Sequence, residues 1–401
     1  MPLDMSQRKA VTKEMRVRYR KAPKGKRGEI LDHFTELTGY NRSYAARVLR
    51  AGAPRAAGGK PRGRPRTYTT EVLPMLRRVW ASLDFACGKR VAAGMADTLD
   101  ALIRTGEIDA LDPAVPLLRS MSAATIDRLL TADRAPSRLK GRATTKPGTL
   151  LRSQIPIRTG TEWNDARPGF LEIDLVAHCG DTTAGDYCNT LDATDIATGW
   201  TETRAVKNKA QVHVFAALTH IVSRLPFGLL GIDSDNGGEF INDQLKRFCD
   251  EKEVMFTRSR AYRKNDNCHV EQKNWSVVRQ NVGYARFDTP EELAILNEIW
   301  ELVRLHTNFF MPSAKLVSKT REGSKVRKRY DTPTTPYRRV LASTDVPDKA
   351  KAALTARFET LNPAELRRRI SRLQTRLYEI NANKKRPERK EAKASPRVHS
   401  L

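Results

Sequence analysis

The sequence predicts a multidomain α/β chain. A mixed-sheet core with element order βββαβαβαα occupies residues 166–312, helical modules precede it, and a basic arm and a further helix follow it. Three observations predict this. Between 166 and 312, short apolar β-branched runs alternate with stretches of helical period. Ahead of that block, apolar residues recur only at helical spacing. Behind it, Leu366, Ile370, Leu373, Leu377 and Ile380 step by four and three, the stripe of a core-packed helix over 346–380. A chain of 401 residues has room for about two to four domains.

The first module, residues 1–55, opens on a basic arm over 8–27 (Arg16, Arg18, Arg20, Lys21, Lys24, Lys26, Arg27). Ile30, Leu31, Phe34 and Leu37 then mark a helix that Thr38-Gly39-Tyr40 breaks. Asn41 is the N-cap of a second helix with Tyr44, Ala45, Val48 and Leu49 on one face. Two short helices across a Gly-containing turn read as a helix-turn-helix, in which Arg42, Ser43, Arg47 and Arg50 point away from the apolar face and can enter a major groove. Residues 56–70 form a linker. Within it Pro61-Arg62-Gly63-Arg64-Pro65-Arg66 resembles an AT-hook, with Arg62, Arg64 and Arg66 suited to a narrow minor groove. Residues 71–135 read as a second helix-turn-helix domain, with helices at 71–83, 89–105, 113–120 and after Ser122. A long linker covers 136–165.

The net charge is +26 with 72 Lys and Arg, so a polyanion is the expected partner. Residues 1–70 hold 18 basic against 5 acidic side chains, 313–340 hold 9 against 2, and 364–401 hold 12 against 4. Residues 165–312 hold 16 against 22, an acidic core between basic flanks. The five cysteines have no paired spacing, which argues against a disulfide framework or zinc knuckle and for a reducing, intracellular setting, cytoplasmic or nucleoid-associated in a bacterium. No apolar run approaches the roughly 18 residues of a membrane helix, so no membrane partner is expected. Residues 313–345 are too Pro-rich and basic for helix and read as an extended arm or small β module; 381–401 read as a disordered tail.

Within the core, strands are expected at 170–178, 186–193, 199–206, 228–235 and 253–258, with helices at 209–224, 240–252, 268–282 and 290–308. Three acids stand out. Asp174 lies in the apolar run Phe170-Leu-Glu-Ile-Asp-Leu-Val176, Asp235 ends the strand Gly228-Leu-Leu-Gly-Ile-Asp-Ser-Asp235, and Glu271 opens an amphipathic helix. Carboxylates so placed are hard oxygen donors suited to Mg²⁺ or Mn²⁺. Glu172 and Asp233 share strand faces with Asp174 and Asp235 and rival them; Asp192 and Asp195 are read as turn residues, and His269 as lying at most near DNA.

Asp235-Asn236-Gly237-Gly238-Glu239-Phe240 resembles the Asp-Asn-Gly-x-Glu-Phe signature of DDE transposases with a retroviral-integrase-like core, and Asp174 and Glu271 resemble that family's first and third acids in placement and spacing. Asn274 also matches a family position. Helix-turn-helix modules ahead of such a core are similar to bacterial insertion-sequence transposases. The resemblance implies an RNase H-like fold and two Mg²⁺ ions, replaceable by Mn²⁺. It places Asp174 between both ions, with Asp235 and Glu271 completing one sphere each. It implies Mg-dependent 3′-end cleavage and strand transfer on double-stranded DNA, transposon ends and target, by a homo-oligomer, with any accessory ATPase unidentified. The chain departs from retroviral relatives in lacking a His-His-Cys-Cys module. It also carries Trp275 and Val278 where those relatives have lysines, which leaves Lys264, Lys273, Asn274 and Arg279 as the candidates for contact with the reacting DNA. Two other readings are a nuclease of the same fold that hydrolyses without joining, and a DNA-binding regulator on a decayed core.

Overall fold

The computed structural model describes residues 4–50, 67–134, 167–235, 237–240, 242–258 and 268–384. The chain divides into two compact units, Met1–Thr67 and Tyr68–Leu401.

The first unit is a three-helix cluster: α1 (Met5–Lys21), α2 (Arg27–Thr38) and α3 (Arg42–Arg50). The basic stretch expected to be an arm is largely helix. Asp4 and Gln7 form a reciprocal capping box at its start. Met15 and Tyr19, four apart, put one face against Leu31, Phe34, Ala45 and Leu49. Gly39 ends α2 at φ +69°, a left-handed conformation that glycine adopts without penalty, and the Asn41 side chain accepts the Tyr44 N–H at 2.8 Å as the cap of α3. The AT-hook-like stretch 61–66 lies outside the described residues.

The second unit opens with α4 (Leu73–Ser82), α5 (Gly88–Arg104), α6 (Ala114–Arg119) and α7 (Ala123–Leu129). Three strands follow, β1 (Phe170–Ala177), β2 (Asn189–Asp195) and β3 (Thr201–Val206). Then come α8 (Gln211–Val222), β4 (Gly231–Ser234), α9 (Asp243–Glu251) and β5 (Met255–Arg258). α10 (Cys268–Lys273) continues through a π-helical turn (Asn274–Arg279) into α11 (Gln280–Val282), and α12 (Pro290–Phe310) closes the core. The five strands lie in the order β3-β2-β1-β4-β5. β1, β2 and β3 are antiparallel neighbours, while β4 and β5 run parallel to β1. A mixed sheet flanked by helices, in the order βββαβαβαα, is the core that the sequence predicts.

Strand alternation sorts this sheet into an apolar and a polar face. Leu171, Ile173, Leu191, Ala193 and Ile232 pack with Val214, Leu218 and Ile221 of α8 and Leu245 of α9. The opposite face carries Glu172, Asp174, Asp192 and Asp233, and α10 and α12 lie over it.

The domain boundaries expected at 135, 312 and 345 do not divide the folded protein. One apolar cluster joins Leu76, Val79 and Leu99 of the early helices to Ile299, Trp300 and Phe309 of α12, and to Tyr337, Phe358, Ile370 and Leu377 near the C-terminus. None of those helices can bury its stripe alone, so sequence-distant segments share one core. The segment 313–345 is not extended throughout. It forms a hairpin, β6 (Leu316–Glu322) and β7 (Lys325–Tyr330), then α13 (Pro336–Ala342). Proline there starts a helix rather than forbidding one, since Pro336 sits in the first turn and Thr335 supplies the cap. The last helical region is two helices, α14 (Asp348–Glu359) and α15 (Pro363–Lys384). The expected tail therefore begins later than 381: Asn381 donates to Glu292 Oε1 at 2.9 Å, and Lys384 pairs with Asp288 and Glu292 at 2.8 Å. The expected linker 136–165 lies outside the described residues.

Candidate active site

The parallel register of β1 and β4 brings two of the three expected acids together. Ile173 pairs with Ser234, so the residue that follows on each side, Asp174 within β1 and Asp235 just after β4, stands at the same level. Asp174 is half-buried; its Oδ1 accepts the Leu175 N–H at 2.8 Å and its Oδ2 accepts Asn274 Nδ2 at 2.6 Å. Asp235 Oδ1 accepts the Gly237 N–H at 2.8 Å. Gly237 is tight here, because a Cβ would stand 2.8 Å from Asp235 Oδ1.

Both carboxyls are harder to ionise than usual. Burial raises the Asp174 pKa, with the Leu175 and Asn274 hydrogen bonds opposing it. Burial and then the Asp174 and Glu239 charges raise Asp235 to about 7. Like charges held together out of water destabilise the ionised pair, and a cation between them would relieve it.

Glu271 is in the first turn of α10 and exposed. Among the described residues, no three His, Cys, Asp or Glu side chains are gathered closely enough to hold a metal ion. Glu271 therefore does not join the aspartates in this conformation. Its helix is nevertheless tied to the strand that carries Asp174. The Glu172 carboxyl, fully buried, accepts the His269 N–H at 2.8 Å and the Val270 N–H at 3.1 Å, taking two of the donors that a helix start leaves unpaired. Two strand residues thus grip one helix, Glu172 at its first turn and Asp174 through Asn274 where the π turn begins. π turns recur at functional sites.

The two rivals are engaged in other contacts. Glu172 is a helix cap, and Asp233 is buried and accepts Thr257 Oγ1 within the sheet. Asp195 does hold a turn, accepting Thr198 N–H at 2.7 Å and Gly169 N–H at 2.8 Å. Asp192 does not. It sits mid-strand opposite Asp174, fully buried, with neither carboxyl oxygen hydrogen-bonded. Burial, opposed by Lys273 and reinforced by Asp174, raises its pKa well above the usual range. Nothing in the local sequence separates Asp192 from Asp195, because only pairing to β1 places it on the polar face.

Replacing Glu172 by Ala should cost about 1–3 kcal/mol, since two buried N–H groups lose their acceptor. Hydrogen exchange at the His269 and Val270 amides would report it directly. Protection falling at least tenfold there, and much less in Glu172→Gln, is the expected pattern; unchanged exchange would remove the capping role.

The expected DNA contacts divide sharply. Arg42, Ser43, Arg47 and Arg50 line one shallow depression on α3 with Leu31 and Ala46. Arg42 pairs with Asp32, and Arg47 stands 5.2 Å over the Tyr44 ring. Three other candidates face inward instead. Lys273 lies near Asp192, and burial followed by the Arg90 charge lowers its pKa to about 8. Arg279 donates to the Ala177 carbonyl at 2.8 Å and stacks on Tyr284 at 4.6 Å, and Asn274 is committed to Asp174. All three share the side of their helix that packs on the sheet. Val278 is fully buried and Trp275 exposed. Lys264, Arg62, Arg64 and Arg66 lie outside the described residues.

The donor chemistry fits a divalent cation: two adjacent carboxyls, plus Asn274 Oδ1, which is buried and makes no hydrogen bond. No helix among the described residues is long and apolar enough to cross a membrane.

No protein-family model matches the chain. Among solved structures, it is similar to the catalytic core domain of BIV integrase, at 15% identity and TM-score 0.29, over 42% of this chain and 91% of that one. It is also similar to the HTLV-2 integrase catalytic core domain in complex with magnesium (dimeric form), at 15% identity and TM-score 0.28, over 36% and 90%. A curated relative is 39% identical over 339 residues, 84% of this chain and 96% of the relative: the uncharacterized protein y4rM of Sinorhizobium fredii (strain NBRC 101917 / NGR234). With identity sustained over nearly the whole of that relative, the chain belongs to the same family as the uncharacterized protein y4rM.

Proposed function

We propose that the protein is a polynucleotidyl transferase of the DDE transposase type, which cuts transposon ends in double-stranded DNA and joins them to a target. The observation that carries this reading is that Asp174 and Asp235 each follow the Ile173–Ser234 pair of neighbouring parallel strands, with the Asp174 charge helping to drive the Asp235 pKa up. Such a pair is unfavourable as a structural element and suited to a cation-binding one. Asp174 and Asp235 would hold the ion, and Glu271 would supply the third carboxylate once α10 brings it inward. When bound, a pair of Mg²⁺ or Mn²⁺ ions supplies charge neutralisation at the scissile phosphate and at the attacking and leaving oxygens.

The chain's own part is positional. Asn274 fixes the Asp174 carboxyl, Glu172 fixes the start of the helix that carries Glu271, and α3 presents Arg42, Ser43, Arg47 and Arg50 to the duplex. Water would attack first to free a 3′-hydroxyl, and that hydroxyl would then attack the target strand. Both ends must be held at once, so a homo-oligomer is the expected working form.

Incubating the full chain with Mg²⁺ and labelled duplexes that carry its terminal repeats, uncut and pre-cut, tests this. Joined products are expected from pre-cut ends. Hydrolysis without joining would assign a nuclease instead. DNA binding without metal-dependent nicking would assign a regulator.

A further inference from the structure

The hairpin β6–β7 stands apart from every core cluster. All thirteen of its strand residues are exposed. Six are cationic (Lys319, Arg321, Lys325, Arg327, Lys328, Arg329) and one is acidic, Glu322. None of the six forms an ion pair among the described residues.

Its root is firmly held. Ser313 and Thr334 exchange backbone hydrogen bonds at 3.0 and 3.1 Å, Lys315 N–H donates to Asp331 at 2.6 Å, and Arg339 of α13 pairs with Asp331 at 3.1 Å. The tip is a two-residue loop in which Gly323 at φ +59° permits the reversal.

The cross-strand pairing is wrong for a ribbon meant to stand alone. Lys319 lies directly opposite Lys328, a like-charge pair that destabilises the ladder, and an isolated two-stranded ribbon is marginal in water to begin with. The remaining register gives the two faces different characters. One presents Lys325, Arg327 and Arg329 opposite Glu322, Thr320 and Ser318; the other presents Lys319, Arg321 and Lys328 with Val326 and Tyr330.

We infer that this ribbon is a duplex-DNA arm that lies in the major groove, with Arg327 and Arg329 toward base edges and Lys319 and Lys328 toward the phosphate walls. Two strands about 4.8 Å apart, with their side chains, fit the width of the major groove, and the forked guanidinium matches the acceptor pair on guanine. Phosphates on the two groove walls draw the Lys319 and Lys328 ammonium groups to opposite sides of the ribbon and so relieve the repulsion that the free hairpin carries. This inference rests on the proposed action on DNA and adds a DNA-binding surface distinct from α3.

The test is fluorescence anisotropy of the full chain on a labelled 30-base-pair DNA duplex across a salt series. In Lys319→Ala/Lys328→Ala, affinity at 150 mM salt should fall about tenfold. The slope of log affinity against log salt should shrink by roughly two, at about 0.9 for each phosphate no longer neutralised. Arg327→Ala/Arg329→Ala should abolish the affinity difference between G·C-rich and A·T-rich duplexes. Arg327→Lys/Arg329→Lys should recover the salt slope but not that difference. All these side chains are exposed, so melting temperatures should stay within a degree or two, which separates weakened DNA binding from failed folding.

Unchanged affinity and slope in both alanine variants would overturn the inference. So would equally tight binding to an RNA duplex of the same sequence, whose deep, narrow major groove excludes a ribbon. A protein that binds through the ribbon but never nicks would sink the catalytic reading alone; one that cuts DNA while the ribbon variants bind as the wild type does would sink this inference alone.

Discussion

Asp235→Asn is expected to reduce metal-dependent DNA cleavage at least about 10³-fold while making the protein more stable above pH 7. Both effects come from one cause. In the folded chain the Asp235 carboxyl titrates at about 7, pushed there first by burial and then by the Asp174 and Glu239 charges; in the unfolded chain it titrates near 3.9. Between those values the native state binds more protons than the unfolded state, so stability falls as pH rises through that window and stays reduced above it. Asparagine removes the charge and keeps the shape. The variant should match the wild type below about pH 4 and gain roughly 1–3 kcal/mol above pH 7, a shift of several degrees in melting temperature.

Divalent cation should raise the melting temperature of the wild type and not of the variant, because only the wild type has the paired charges that a cation relieves. Thermal melts at pH 4, 6 and 8, with and without Mg²⁺, check all three statements. A variant that melts lower at pH 8, or that still cuts DNA, would remove Asp235 from the site.

Arg304→Ala should be among the most damaging single changes in the core, with an expected loss of about 3–5 kcal/mol. Arg304 of α12 donates through Nε to both oxygens of Glu202 on β3, at 2.6 and 2.7 Å, and Glu202 also accepts Trp200 Nε1 at 2.7 Å. Glu202 is only 2% exposed. Burial raises its pKa even against the opposing Arg304 charge. Without the guanidinium, an acid would stand in the core with one indole N–H for company.

Glu202→Leu/Arg304→Met should recover most of the stability, because apolar side chains of similar volume need no partner there. Urea unfolding of the single and double variants measures the coupling. A single-variant loss below about 1 kcal/mol would show that water reaches Glu202 and that this ion pair does not tie the sheet to α12.

Much of the core is legible in the sequence because its signals are local. The run from Phe170 to Val176 and the helix from Cys268 each declare their type within ten residues, and the observed elements follow the expected order. Asp174 and Asp235 are legible as candidates because an acid inside an apolar strand run, or at its end, has few structural uses. Asp192 is not, because its neighbours Ala193, Thr194 and Asp195 look like the approach to a turn. Its burial depends on lying between β1 and β3, which no short window reveals. Lys273, Asn274 and Arg279 suggest DNA contacts by charge and position, and the structure turns all three toward the sheet. Helix phase decides that, and the π turn at Asn274–Arg279 changes the phase without any clear mark in the sequence.

By itself the sequence determined the element types and order of the core, the places of Asp174 on β1 and of Asp235 just after β4, and the basic flanks, since propensity, alternation and charge act over a few residues. Only the tertiary structure decided three further matters. The early helices, the sheet and the C-terminal helices share one core; Glu172 caps the helix of Glu271 while Asp192 is left without a hydrogen bond beneath it; and the basic segment after α12 is a free-standing ribbon. Each depends on which distant segments exclude water from one another, and that is set by packing across hundreds of residues rather than by any local preference.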